Sequence, residues 1–266
     1  MTEPIASEAI IRMGIFAGVF VVMALAELAL PRKQRMQPRT TRWFTNLGLV
    51  VLDTLALRLL FPVMAVGMAD IAATRGWGLF AWTDLPFLLE VGLAAILLDL
   101  AIYGQHIASH KIPLLWRVHR VHHADRDIDL TTGIRFHPVE IILSMLYKFA
   151  VIIVLGAPAL GVFIFEVLLN GSAMFNHANF KLPRPIDRVL RQLFVTPDMH
   201  RVHHSVIHRE TDSNYGFNLS VWDRLFGTYI DQPEKGHETM TIGLRAYQDD
   251  KPSQLLWSLI LPFRRH

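Results

Sequence analysis

The stretch from His106 to Asp125 constrains this chain more than any other. It reads HIASHKIPLLWRVHRVHHAD and holds two imidazoles four residues apart, followed by an H-x-x-H-H cluster. On a helix, residues three or four positions apart share a face, so each set projects imidazoles from one side. A near copy of the second cluster follows at 199–204, MHRVHH. Because imidazole is the commonest protein metal ligand, the repeated pattern predicts a metal site.

Composition limits both the ligands and the class of protein. The 266 residues are 52% hydrophobic and 18% charged, with a mean hydropathy of +0.32, which is too apolar for an ordinary soluble domain. The chain has no cysteine, which excludes disulfides, zinc–thiolate sites and cysteine-bound iron–sulfur clusters. A metal must therefore bind through nitrogen and oxygen. The net charge of +3 forms no basic stripe with interleaved aromatics, so no nucleic-acid partner is expected.

Long apolar segments predict an all-α integral membrane fold, because about 20 apolar residues span the bilayer. We expect about four transmembrane helices, the last apolar stretch forming a broken or re-entrant hairpin that turns at Gly156-Ala157-Pro158. Leu255 to Phe263 is apolar but too short to span, so it is expected to lie on the membrane or on the bundle. The predicted segments are Met13–Leu30, Leu47–Met68, Leu85–Tyr103 and Val139–Ala173.

Basic residues set the expected orientation. The connection after the first segment, PRKQRMQPRTTR, carries five of them, and the positive-inside rule places such connections in the cytoplasm. The first segment lacks a cleavage site, so it is expected to be an anchor. With this topology every candidate ligand falls on the cytoplasmic side, in a helical cap over the bundle. We expect a single membrane-embedded domain over 1–266, with a histidine-motif core at about 99–229.

Several polar residues lie inside the predicted segments. Asp53 and Arg58 are expected to pair or to face the bundle interior, because intramembrane charges are costly. Asp99, Tyr103, His106 and His110 form one stripe of a helix. Two roles are open for Asp99. It either orients His106 by a hydrogen bond to the second ring nitrogen of that histidine, or it makes a buried helix–helix hydrogen bond.

The number of histidines indicates more than one metal. Eight lie in three clusters, with His177 as a ninth candidate and His137 as a tenth, whereas a single zinc takes four ligands. Two metals with four or five imidazoles each account for the set. An all-imidazole pair beside a bilayer suits oxygen activation against a lipid C–H bond, although the ligand type also allows zinc, copper or nickel. The eight are His106, His110, His119, His122, His123, His200, His203 and His204.

Combined, the motifs resemble the fatty acid hydroxylase superfamily in its sterol desaturase-like branch. They are D-x3-Y-x2-H-x3-H, H-x2-H-H, R-x-H-P-x-E, N-H-A-N-F, T-P-x-x-H-x2-H-H and N-Y-G-x5-W-D-x-L-F-G-T-Y, from about Asp99 to Tyr229. The resemblance implies a membrane-bound non-haem di-iron oxygenase with the eight histidines as ligands and no catalytic residue beyond them. His177 stands alone where some members carry a second H-x3-H pair. Residues expected around the ligands are Asp99, Tyr103, His137 and Asn176.

The resemblance further implies two iron ions, which zinc can replace in a purified sample, and O2 as co-substrate. The expected reaction is hydroxylation or desaturation of a lipid of the sterol, fatty acyl or alkylglycerol type. Electrons should come from a separate ferredoxin or cytochrome with its reductase, because the chain has no dinucleotide or haem motif. Two alternatives are a membrane metal transporter, which would place its ligands near the bilayer midplane, and a zinc-dependent membrane hydrolase.

Overall fold

The computed structural model describes residues 3–264, with side chains from Glu8 onward. Over this range the chain is helical, with three isolated β-bridges and no β-strand. The α-helices are α1 (Glu3–Ala29), α2 (Arg39–Leu60), α3 (Ala65–Arg75), α4 (Phe87–Lys111), α5 (Pro113–His123), α6 (Pro138–Leu155), α7 (Ala159–His177), α8 (Arg184–Leu190), α9 (Pro197–His203), α10 (His208–Thr211), α11 (Val221–Leu225), α12 (Gly236–Thr239) and α13 (Leu255–Ile260).

Five of the described helical segments are long and apolar enough to cross a membrane. They are α1 from Glu8, the region of α2, and α4, α6 and α7. Their outer faces expose large apolar side chains such as Leu59, Leu88 and Val154, as a lipid-facing surface does. The protein is therefore an integral membrane protein. Each arm of the α6–α7 hairpin is about 27 Å long at 1.5 Å per residue, so each arm is a candidate span by itself.

The second segment differs from its predicted bounds. The sequence predicted one helix over Leu47–Met68, whereas α2 begins at Arg39, ends at Leu60 before Pro62, and is followed by a separate α3. Of the two alternatives expected for Asp53 and Arg58, pairing is wrong, and a position facing the bundle interior holds for Asp53 only. Five residues place the two side chains about 140° apart around the helix, so Asp53 is buried while Arg58 is exposed.

The turn between α6 and α7 lies at Gly156-Ala157-Pro158, as predicted, and it is covered by the loop after α3. Gly156 takes a left-handed φ of 66° and ends α6. A Cβ on Gly78 would lie 2.0 Å from the Gly156 nitrogen, so this contact requires glycine. The loop and the turn close one end of the bundle.

The opposite end of the bundle holds the cap, which consists of α5, the loop after it, and α8–α13. Arg42 at the start of α2 binds Asp125 at 2.7 Å and Asp129 at 2.5 Å, and all three side chains are buried. Glu27 near the end of α1 accepts hydrogen bonds from the backbone nitrogens of Leu130 and Asn179. Buried ion pairs of this kind fix the geometry of the elements they join. The cap is thus held to the ends of the membrane helices.

The apolar segment near the carboxyl terminus lies on the bundle. Trp257 of α13 and Leu261 after it pack against Leu49 of α2 and Val121 of α5. Of the two placements expected from its length, packing on the bundle is the one observed.

Candidate metal centre

Nine histidines converge at the cap end of the bundle in two groups. Within each group, one nitrogen from every ring lies within 4.8 Å of the others, and each group could hold a metal ion. The structure thus brings together all eight histidines of the three sequence clusters and adds His177. One group contains His106, His110, His119, His123 and His203; the other contains His122, His177, His200 and His204.

The H-x-x-H-H motif explains how two helices serve both groups. In α5, His119 and His123 are four residues apart and join the group of five, while His122 joins the group of four. In the motif at α9 the roles are reversed: His200 and His204 join the group of four, and His203 joins the other. Residues i and i+4 are about 40° apart around a helix, whereas i+3 lies about 100° from i+4. Each motif therefore points toward two centres at once.

Local sequence fixes where these short helices start. Pro113 stands at the first position of α5, where its missing N–H costs nothing. Thr196 caps α9 by accepting from the Met199 nitrogen, and Pro197 follows it at the first helical position. These starts set the rotation of both helices and hence the directions of their imidazoles.

Hydrogen bonds at Nδ1 orient the rings. The Nδ1 atoms of His106, His177 and His203 each lie 2.7 Å from a backbone carbonyl oxygen, that of Tyr215, Ala173 and Ser213 respectively. An Nδ1–H that donates to such an oxygen leaves Nε2 with a free lone pair. This is the usual arrangement around a metal-binding histidine.

The Nε2 atoms fit a cation. In the group of five, all five are buried, and none has a hydrogen-bond partner among the described residues. Buried, unsatisfied polar atoms are costly, and a bound metal satisfies them. In the group of four, Nε2 of His177 lies 3.1 Å from that of His122 and 3.0 Å from that of His200. With metal–nitrogen bonds of about 2.1 Å, two ligands at a right angle lie about 3.0 Å apart.

Burial also selects the protonation state. It lowers the pKa of His203 to about 3, and it holds the pKa of His122, His200 and His204 well below the ordinary value. Imidazoles with such values are neutral at pH 7, and only the neutral form binds a metal.

The four residues expected around the ligands have other immediate partners. Asp99 accepts from Asn218 and Trp222 and does not contact His106, so its orienting role is wrong and the buried hydrogen-bond role holds, with Asn218 of a loop and Trp222 of α11 as the partners. Tyr103 lies 2.8 Å from Thr228 through its hydroxyl. His137 caps α6 by accepting from the Val139 nitrogen, which explains its position before Pro138. Asn176 donates to the Phe217 carbonyl oxygen.

Glu140 and Gly133 are among the residues near the histidines that sequence reasoning missed. Glu140 accepts from His119 Nδ1 at 2.6 Å; its R-x-H-P-x-E motif was a signal for it. A Cβ on Gly133 would lie 2.2 Å from the Ala173 carbonyl oxygen and 3.1 Å from His177 Nδ1, so the loop after α5 can approach α7 only with glycine here. No spacing rule marks such a close approach.

A cavity of about 320 Å³ leads from the histidines into the bundle. His106 and His119 line one end, and the wall continues along α6 through Ser144 to Lys148, about 12 Å below Glu140. Its volume is within the range of about 300–1,000 Å³ that is usual for ligand sites. A second cavity of about 270 Å³ reaches His110 from the cap side, between Trp116 and Asp212. The histidines are therefore approached from the bundle and from the cap.

Fold and site together define a helical membrane protein with two imidazole groups that could each hold a metal. The family model for fatty acid hydroxylase matches residues 91–228, just over half of the chain. The chain belongs to the fatty acid hydroxylase family.

Three curated relatives extend this result. The chain is 27% identical over 228 residues to the ornithine lipid hydroxylase OlsE of Rhizobium tropici, an alignment covering 82% of this chain and 67% of that protein. It is 28% identical to human alkylglycerol monooxygenase, over 58% of this chain and 33% of that one. It is 23% identical to mouse cholesterol 25-hydroxylase, over 56% of this chain and 49% of that protein. These relatives are lipid hydroxylases or monooxygenases, which supports an oxidoreductase. No solved structure matches the chain.

Proposed function

We propose that this chain is a membrane-bound di-iron oxygenase that uses O2 to hydroxylate or desaturate a C–H bond of a membrane lipid. One observation carries the proposal: two groups of imidazoles that could each hold a metal lie side by side, and His106 and His119 of one group line a cavity within the membrane bundle. The names of the relatives, which refer to an ornithine lipid, an alkylglycerol and cholesterol, support a lipid substrate, and the family name adds a fatty acyl substrate to the sterol and alkylglycerol types. The proposal treats 1–266 as a single domain.

The metals would be held by nitrogen alone. His106, His110, His119, His123 and His203 would hold one ion, and His122, His177, His200 and His204 the other. When bound, two iron ions supply the reduction of O2 and the oxidising power that removes hydrogen from a C–H bond. Zinc, copper or nickel would also suit imidazole, so iron rests on the family rather than on the ligands.

The protein's own residues position the reaction. Glu140 holds the His119 ring through Nδ1, and a carboxylate in that position raises the basicity of the ligand. Ile102, Leu57 and Phe136 line the cavity with apolar surface, which would exclude water from the lipid carbon beside the histidines. Electrons would come from a separate ferredoxin or cytochrome with its reductase.

The two alternatives fit the geometry less well. A transporter needs ligands along a path through the membrane, whereas His106, His110 and His177 lie in the last turns of α4 and α7 and the remaining ligands lie in the cap. A hydrolytic zinc site needs three protein ligands, and nine converge here.

Metal content and oxygen uptake test the proposal. We expect purified, iron-loaded protein to bind about two metals per chain and, given a reductant, to consume O2 in the presence of membrane lipid. His119→Ala and His203→Ala should each lower oxygen uptake by more than about a hundredfold while the protein still inserts into the membrane. The control is His208→Ala, an exposed histidine outside both groups. Fewer than one metal per chain, or wild-type activity in both variants, would contradict the proposal.

A further inference from the structure

The bundle cavity is lined by four charged side chains in addition to its apolar wall: Asp53, Glu140, Lys148 and Glu166. Charges at membrane depth are costly, so each of them needs a partner or a function. Lys148 donates to Glu166 at 2.6 Å, and Arg12 reaches the other oxygen of Glu166 at 3.1 Å. Arg12 also pairs with Glu8 at 2.8 Å. The positive charges of Lys148 and Arg12 thus balance the negative charges of Glu166 and Glu8 at the end of the cavity away from the histidines.

Glu140 has a partner at only one of its two oxygens, because Oε2 is buried with no hydrogen-bond partner among the described residues. One of its oxygens accepts from His119 Nδ1 at 2.6 Å, so its charge faces a group of imidazoles that could hold a cation. It belongs to the metal centre.

For Asp53, the described residues offer no comparable partner. Its side chain lines the cavity and is only 7% exposed, and its Oδ1 is buried with no hydrogen-bond partner in the described part of the chain. Two polar neighbours in the wall are engaged elsewhere: Thr54 donates to the Val50 carbonyl oxygen, and Ser144 donates to Gln105. A buried carboxylate without a partner is destabilising, and a cation that arrives from outside the chain would stabilise it.

We propose that Asp53 binds an ammonium group of the substrate, so that the lipid oxidised at this centre is an aminolipid. This deepens the proposed function and rests on it. The other charges of the wall are balanced or face the histidines, which leaves one carboxylate and so one site for a cation. Because Asp53 and the histidines line the same cavity, about 12 Å long on α6, the oxidised carbon lies within that distance of the nitrogen. The reaction then falls near the polar end of the lipid.

Binding measured without turnover tests this inference. The full-length protein in detergent micelles is titrated with dodecylamine and with dodecanol, and protein-free micelles give the background. We expect wild-type protein to prefer dodecylamine. Asp53→Asn should weaken dodecylamine binding at least about tenfold and leave dodecanol binding within about twofold, because only the charged partner loses its counter-ion. Asp53→Glu should retain the preference.

The matched control is Asp70→Asn, which removes an exposed carboxylate of α3 outside the cavity and should change neither affinity. Thermal unfolding checks that each variant is folded. Equal affinity of wild-type protein for the amine and the alcohol, or parallel losses for both in Asp53→Asn, would overturn the inference. Because this assay needs no iron and no O2, an intact amine preference in a protein that consumes no oxygen would refute only the proposed oxygenase.

Discussion

Gly133 shows how a residue that binds no metal controls the site. It lies in the loop after α5, where the chain passes against the last turn of α7 and the ring of His177. His177 is also the ligand candidate that stands alone in the sequence. The position of this imidazole therefore depends on the absence of a side chain in a neighbouring loop.

We expect Gly133→Ala to lower metal content from about two ions per chain to about one. The added Cβ would lie 2.2 Å from the Ala173 carbonyl oxygen, so the loop or α7 must shift and carry His177 away from His122 and His200. Metal analysis of the purified variant measures the loss.

The control for this prediction is Gly104→Ala on α4, where a Cβ would meet nothing within 4 Å. This variant should keep its metal, since alanine is favoured over glycine within a helix. Equal metal content in the two variants would show that the approach of the loop to His177 is unimportant.

At this scale the sequence predicted which histidines meet but not what holds them. The H-x-x-H-H spacing is visible in the sequence because it reflects the periodicity of one helix. The acceptors at Nδ1 of His106 and His203 are the backbone oxygens of Tyr215 and Ser213, and backbone atoms leave no residue-type signal. Two roles stayed open for Asp99 because its partners, Asn218 and Trp222, lie more than 100 residues away along the chain, and helix periodicity does not register such contacts.

At the scale of the helices, the cavity lies between α2, α4, α6 and α7, and α6 supplies much of its wall. The two faces of this helix differ in polarity. The face toward the cavity carries Glu140, Ser144 and Lys148, whereas the exposed face carries Leu143 and Ala150. One helix thus separates a polar route from the lipid.

A bulky side chain on the cavity face of α6 should block the lipid without disturbing the metals. We expect Ser144→Trp to lower lipid turnover by at least about tenfold while metal content stays at the wild-type value, because Ser144 lines the cavity and does not belong to either histidine group. Turnover is measured by oxygen uptake with lipid.

Ala150→Trp is the comparison, with the same added volume on the exposed face of the same helix. It should leave turnover within about twofold. Two results would contradict this prediction: a Ser144→Trp variant whose metal content falls together with its turnover, or normal lipid turnover in both variants. Normal turnover in both would mean that the substrate reaches the histidines by another path, such as the cavity on the cap side.

Hydropathy identified the apolar segments but set some of their ends wrongly. The turn at Gly156-Ala157-Pro158 was predictable because glycine and proline both act locally. The end of α2 at Leu60 was missed because the apolar composition continues through Pro62 into α3. Hydropathy measures what a segment prefers to contact and does not register where its helix stops.

For the whole molecule, all nine histidines of the two groups lie at the end of the bundle that carries the cap, and Arg75 lies at the other end. The basic connection after α1 joins that same cap. By the positive-inside rule we therefore predict a cytoplasmic cap.

The absence of native cysteine makes this orientation directly measurable. We expect Arg75→Cys, on an exposed site of α3, to react with an impermeant thiol reagent in intact cells. Arg188→Cys, on an exposed site of α8 in the cap, should react only after the membrane is opened. The unsubstituted chain supplies the blank. Labelling of Arg188→Cys alone in intact cells would reverse the predicted orientation.

The division of ligands among α4, α5, α7 and α9 also has a consequence for biosynthesis. Neither group is complete until the ribosome has added His203 and His204, which follow every membrane helix described here. The segment made still later packs over α5 and the loop after it. In that loop, Arg135 donates to the Pro252 carbonyl oxygen and to Ser258. Under the proposed function, insertion of the membrane helices would therefore precede completion of the metal centre, and a nascent chain halted within α9 would be anchored with neither group complete.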